Sequence, residues 1–131
     1  LGFVGSGSLQ GDLAYDGSKP VGWCNANGDC KLCLQYLGSF WPIAREPDGI
    51  RVKSVFCFVI APGWQRRGIA TRLLRRVCQD AACEGYDFVE AYVDRNAEDG
   101  DFRGYLAMYE KCGFSIFDER AGRAVVRKAL K

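Results

Sequence analysis

The sequence predicts an α/β domain of the α+β kind: a mixed, mostly antiparallel twisted sheet with flanking helices, built around a strand–helix–strand unit. Three observations carry this reading. Val52–Ile60 (VKSVFCFVI) is dominated by β-branched and aromatic residues and ends almost continuously apolar, which suits a central strand covered on both faces. From Ile69 the apolar period becomes helical, with Ile69, Leu73, Val77 and Ala81 on one face and Arg72, Arg75, Arg76 and Gln79 on another. Residues 88–93 then return to strand, and a crossover of this kind is right-handed and lays its helix on the sheet.

The remaining elements follow in order. Residues 1–10 (LGFVGSGSLQ) are rich in Gly and Ser and read as a tail or loop. Residues 12–15 form a short strand, Asp16-Gly17-Ser18-Lys19-Pro20 carries turn chemistry, and residues 21–26 complete a hairpin. Asn27-Gly28 signals a turn, and Pro42, Pro47 and Gly49 punctuate a stretch up to residue 51 that is long for a compact domain. Within it, Phe40 and Trp41 pack either over a binding site or on the domain's own core. Pro62-Gly63 ends the strand at Ile60, and the following helix stops near Gly85. A polar loop, 94–103, leads to a short helix over about 105–111, closed by Gly113 as a left-handed cap. Residues 115–118 and 124–130 are strands around an Ala121-Gly122 turn. The expected order is β-β-β-α-β-α-β-β, in one domain over residues 1–131.

Composition narrows the function classes. A chain of 131 residues suits one domain with a modest core, and 48% hydrophobic with 26% charged residues is ordinary for a soluble globular protein. Leu1 stands where an initiator Met would, so a trimmed or processed N-terminus is expected. No run approaches the roughly 18 apolar residues of a membrane span, and no signal-peptide pattern is visible. We therefore expect a soluble cytoplasmic protein with no membrane partner. The net charge of +2 is too small to argue for nucleic acid. Its distribution says more: Arg66, Arg67, Arg72, Arg75 and Arg76 cluster, which suits a compact anionic ligand better than a long polyanion.

The seven cysteines are odd in number, and several lie among apolar residues, as unpaired thiols of a reducing compartment do. Cys30-Lys31-Leu32-Cys33 is a CxxC, but a structural zinc site wants four ligands and there is no second CxxC. We read these as incidental loop thiols and expect no metal. Histidine is absent, which removes both the usual general base near neutral pH and the commonest metal ligand.

The junction of strand and helix at residues 60–71 is the candidate site. A helix N-terminus presents unpaired N–H groups and the positive end of the dipole. Gly68 lets a ligand approach the backbone, and Arg66 and Arg67 add charge. Together they make a pyrophosphate cradle; the alternative is an ordinary turn with solvated arginines. A Walker loop is excluded because no lysine follows Gly68-Ile69, and Gly5-Ser6-Gly7 lacks both the spacing and the preceding strand of a dinucleotide fingerprint.

Phe58 to Ala70, reading FVIAPGWQRRGIA, resembles the signature motif of the GNAT superfamily of acetyl-CoA-dependent N-acetyltransferases. In that motif a strand is followed by Gln/Arg-x-x-Gly-x-Gly/Ala and a helix. Tyr109-Glu110-Lys111-Cys112-Gly113-Phe114 resembles a second element of the same family, in the right order, and the likeness covers about residues 11–131. The resemblance implies acetyl-CoA as cosubstrate. It implies that Phe58, Val59 and Ile60 pair through their backbone with the pantetheine arm. The diphosphate then falls to Gln65, Arg66, Arg67, Gly68, Ile69, Ala70 and Thr71. It makes Tyr109 the general acid for the leaving thiolate, against the plainer reading of a core aromatic. Backbone N–H groups at the end of the strand, Ile60 first, would serve the oxyanion. With no histidine, Glu90 is the leading general base and Asp94 the second, although either also reads as a solvated surface carboxylate.

Two departures from the family pattern stand out. Phe102 occupies the place of a usual Asn, with Asn96 further upstream in a lengthened loop 94–104. The strand and two helices with which the family opens are expected to be absent. The leading function is transfer of an acetyl group to a primary amine of a small molecule or peptide. A different class is a non-catalytic CoA-binding regulatory or interaction module. Nucleic-acid binding by the arginine-rich helix fits less well. Many members of the family pair through their C-terminal strands, which makes a homodimer an arrangement open to this chain.

Overall fold

The computed structural model of the chain describes residues 2–6, 11–27, 49–64, 68–94, 106–120 and 122–131. Its strands form one seven-stranded sheet. Strand β1 is Gly2–Ser6, β2 Gly11–Asp16, β3 Lys19–Asn27 and β4 Val52–Ile60. Helix α1 is Ile69–Cys83, β5 Phe88–Asp94, α2 Leu106–Lys111, β6 Ser115–Arg120 and β7 Arg123–Ala129. Across the sheet they run β1-β2-β3-β4-β5-β7-β6. Only β4 and β5 are parallel neighbours among the described strands, so the sheet is mixed and mostly antiparallel, as expected.

One strand was not foreseen. The Gly/Ser-rich start, expected as a tail or loop, holds β1, paired antiparallel with β2 from Gly2↔Tyr15 to Ser6↔Gly11. Backbone pairing explains it: the outer edge of β2 is a row of unpaired N–H and C=O groups, which a five-residue segment can satisfy whatever its side chains. The order is thus β-β-β-β-α-β-α-β-β.

Helix α1 buries Ile69, Leu73, Val77 and Ala81, the face its period predicts, and adds Leu74 and Cys78. Gly22 on β3 is what lets α1 settle so closely. A Cβ there would lie 3.0 Å from both Ile60 Cδ1 and Ile69 Cγ2, and 3.3 Å from Leu73 Cδ1. At the other end of the chain, α2 stops at Gly113 (φ 92°), where Phe114 N–H donates to the Tyr109 carbonyl at 3.0 Å. This is the left-handed cap read from the sequence. Strand β7 lies between β5 and β6, and Ala124, Val125, Val126 and Arg127 are all buried, so both of its faces are covered. Among the described residues no helix is long and apolar enough to cross a membrane.

Cys24, Cys78, Cys83 and Cys112 are reduced, outside any disulfide; Cys30 and Cys33 lie outside the described residues. Burial pushes the Cys78 thiol up to about 11 from 9.0, with Lys128 opposing and Cys112 adding to the rise. The folded chain therefore keeps the thiol neutral where the unfolded chain ionises it. The stabilisation is complete below pH 9.0 and is lost as pH climbs to about 11. Replacing Cys78 with Ala should flatten that alkaline decline by up to about 3 kcal/mol. The check is the urea midpoint of parent and variant across the window; parallel curves would rule it out.

Candidate functional site

The site begins with a bulge in β4. Opposite β3, Cys57 pairs with Asn25 and Val55 with Ala26, which leaves Phe56 as an extra residue. Val55 and Phe58, three positions apart, therefore both enter the helix-side core, where strict alternation would send them to opposite faces. The continuous apolar run VFCFVI concealed this in the sequence.

The bulge coincides with a fork in the sheet. The parallel ladder runs from Val52↔Phe88 to Val55↔Ala91 and stops. Past that level β4 stays with β3, out to Ile60↔Gly22, whereas β5 stays with β7, out to Asp94↔Arg123. The N–H of Ala61 donates to the Val21 carbonyl on β3 at 2.8 Å. Amides alternate edges along a strand, so those of Ile60 and Phe58 point away from β3, into the fork.

Helix α1 starts at the head of this fork. Trp64 N–H donates to the Ala61 carbonyl at 3.0 Å, closing a turn with Pro62 and Gly63 (φ 83°) at its centre. Proline followed by a left-handed glycine is the chemistry of a type II turn. Gly68, at φ 77° and ψ 11°, is the N-cap of α1 and makes no side-chain cap bond. No acidic residue lies in the first turn, and among the described residues a Cβ on Gly68 would meet nothing within 4 Å. No described side chain thus covers the positive end of the helix at Gly68.

The expected site residues are distributed as follows. Phe58 is buried in the core, Ile60 is packed against it, and Val59 is 47% exposed. Gly68 is exposed, Ile69 buried, and Ala70 and Thr71 half-buried in the first turn. Gln65, Arg66 and Arg67 lie outside the described residues, as do Phe40, Trp41, Asn96 and Phe102. Arg72 and Arg75 are exposed, but Arg76 is engaged with Asp80 at 3.1 Å, so the helix carries no uniform cationic stripe.

Tyr109 is fully buried on α2, its ring edge-on to Phe114 at 5.3 Å. Glu90 is not a solvated carboxylate. At 3% exposure it accepts a hydrogen bond from Arg127 Nε (2.9 Å) on one oxygen and from Tyr92 Oη (2.8 Å) on the other. Ser54 Oγ lies 3.0 Å from the same Tyr92 oxygen. Burial first, and the Glu90 charge second, push the Tyr92 phenol far up, so it stays protonated and donates. Sequence reasoning missed Ser54, Tyr92 and Arg127. The available signal was a lone acid in FVEAYV and a base, Arg127, directly after the apolar run of AVVRKA, opposite charges bordering apolar stretches of two strands. Asp94 closes β5 opposite Arg123, and its side chain lies outside the described residues.

Elsewhere, a cavity of about 500 Å³ lies between α1 and the end of α2, lined in part by Arg75, Cys78, Lys111 and Lys128. It adjoins Ala129, the partner of Phe88 at the start of β5, and so sits at the end of the strands remote from the fork. Among the described residues no group of three or more His, Cys, Asp or Glu side chains could hold a metal.

A mixed sheet that splits beside a glycine-capped helix N-terminus places the chain with the acetyltransferases by fold. It belongs to the acetyltransferase (GNAT) family, whose model matches residues 5–114. Among solved structures it resembles a Pyrococcus horikoshii protein at 22% identity and TM-score 0.61, over 92% of this chain and 64% of that one. It resembles a GNAT-family acetyltransferase of Listeria monocytogenes at 9% identity and TM-score 0.68, over 93% and 66% of the two chains. It also resembles the PaiA N-acetyltransferase of Thermoplasma acidophilum in complex with coenzyme A, at 17% identity and TM-score 0.60, over 90% and 58%. The chain therefore spans about three fifths to two thirds of these proteins' lengths. No curated protein sequence is a significant match.

Proposed function

We propose that the protein is an N-acetyltransferase that moves an acetyl group from acetyl-CoA to a primary amine of a small molecule or peptide. The fork beside the open end of α1 carries this reading. The pantetheine arm is an extended chain with amide groups, and the edge of β4 offers the Phe58 amide to such a chain and the Ile60 amide to the acetyl carbonyl beyond it. The diphosphate then falls at the first turn, against the N–H groups of residues 68–71, with Arg66 and Arg67 adding charge. Its coenzyme A-bound Thermoplasma neighbour agrees with that choice of ligand.

Attack of a neutral amine on the thioester carbonyl forms the new C–N bond and puts negative charge on the carbonyl oxygen. The Ile60 N–H, directed into the fork, is placed to receive that charge. Collapse breaks the C–S bond, the thiolate leaves with a proton from Tyr109, a phenol buried against Phe114, and the proton that the amine nitrogen loses on becoming an amide restores that phenol. Glu90 has both oxygens engaged, and no proton-abstraction step is routed through it.

Phe102, in the place of the family's Asn, favours a second reading, a coenzyme A-binding module without turnover. Release of free thiol from acetyl-CoA across a panel of amines separates the two. Calorimetric titration of the folded protein with coenzyme A tests both, and no uptake would end either reading. Replacing Gly68 with Val should weaken that uptake about tenfold or more while the chain stays folded. A Cβ enters the open space over the first turn, and the left-handed backbone adds about 1–2 kcal/mol of strain. Parent-like affinity in the variant would move the diphosphate elsewhere.

A further inference from the structure

We propose that Ser54, Tyr92, Glu90 and Arg127 form a clamp at the crotch of the fork that sets the slot for the cofactor's arm, with Tyr92 as its positioning residue. This rests on the acetyl-CoA reading of the fork.

Two blocks of sheet, β1 to β4 and β5 with β7 and β6, are joined by only four register pairs, Val52↔Phe88 to Val55↔Ala91. Parallel pairing is the weaker kind per residue. The four clamp residues are buried, yet none belongs to the core beneath the helices. Alternation explains this, since Val89, Ala91 and Val93 face the helices while Glu90 and Tyr92 face the other way.

Tyr92 is the first residue of β5 beyond the last ladder pair. Its side chain leans back to the paired region, where Oη meets both Glu90 Oε2 (2.8 Å) and Ser54 Oγ (3.0 Å). A phenol has one proton and a carboxylate only accepts, so the Tyr92 proton goes to Glu90 and the Ser54 hydroxyl donates to Tyr92. On the far side, Arg127 Nε donates to Glu90 Oε1 at 2.9 Å. Arg127 is itself held under the ring of Phe117, 3.9 Å from its guanidinium carbon. Phe117 is the extra residue of a bulge in β6, between Ile116↔Val126 and Asp118↔Val125. The result is a continuous line of directed contacts from β4 through β5 and β7 to β6, at the level where the backbone ladder ends.

Burying an ion pair brings a desolvation cost that apolar side chains of similar size avoid. What apolar packing lacks is direction: a hydrogen bond weakens steeply with angle, whereas a methyl contact hardly does. A line of such bonds therefore holds the angle between two blocks more tightly than a greasy seam would. That angle sets the gap between residues 56–60 and 92–94. The seat at Gly68 is different, because it rides on β4 and α1 alone.

This difference gives the test. Tyr92→Phe keeps the ring and removes both contacts. Affinities for acetyl-CoA and for 3′-phosphoadenosine 5′-diphosphate, which lacks the arm, are measured by calorimetry. We expect acetyl-CoA to bind about tenfold more weakly and the armless fragment to stay within about twofold of the parent. Ser54→Ala, which cuts only the tie to β4, should give a smaller loss of the same selective kind, and it serves if Tyr92→Phe does not fold. An equal loss for both ligands, or none for either, would overturn the clamp while leaving the acetyl-CoA reading in place. Failure of the parent protein to bind either ligand would overturn both together.

Discussion

Replacing Tyr109 with phenylalanine should lower acetyl transfer by about 10²–10⁴-fold, the usual weight of a general acid, with acetyl-CoA affinity nearly unchanged. The substitution removes one oxygen and leaves the ring that packs edge-on against Phe114, so α2 and its Gly113 cap should persist. A coenzyme A thiolate is formed in the same step in which the C–S bond breaks, and it needs a proton there and not before. Loss of the acid therefore falls on kcat, whereas the bound state is unaffected. The measurement pairs thiol release, using an amine that the parent accepts, with calorimetric titration of acetyl-CoA. Parent-like turnover would strip Tyr109 of the role and leave it a core aromatic.

Arg127→Met should destabilise the fold by about 3–5 kcal/mol, the penalty of a buried carboxylate left without its counter-charge. Glu90 and Arg127 are 3% and 7% exposed, so water cannot take over for the missing guanidinium. The paired change, Arg127→Met with Glu90→Leu, should recover most of the loss, because it removes the orphaned charge along with its partner. Chemical denaturation reads both: the single variant should show a lower midpoint at an unchanged slope. A single variant within about 1 kcal/mol of the parent would mean that Glu90 finds another partner or stays protonated.

Much of the fold could be read from local chemistry. The strand at Val52–Ile60 has the bounds its composition predicts, and α1 begins at Ile69, where the apolar period changes. The turns at Pro62-Gly63 and Gly113 follow from residues that favour those dihedrals. What stayed hidden depends on pairing between distant segments. Strand β1 exists because β2 has an edge to offer, and nothing inside GFVGS says so. The Phe56 bulge lies in a run where every residue is apolar, so alternation has no contrast to report. Glu90 and Arg127 are 37 residues apart, and Glu90 alone also reads as a solvated surface carboxylate. The candidate cradle could be proposed from sequence for the opposite reason: a helix start, a glycine and two arginines are all neighbours in the chain.

The four-pair seam also bears on how the chain assembles. The β2–β3 hairpin on one side and β6–β7 on the other each unite neighbours in sequence, and such local pairings form early. Val52 and Phe88 meet only across the intervening helix, so their pairing closes a long loop. Its four pairs are also the shortest ladder among the described strands, and they border the gap proposed for the cofactor. A molecule lying there would bridge the two blocks at the place where the polypeptide itself pairs them least.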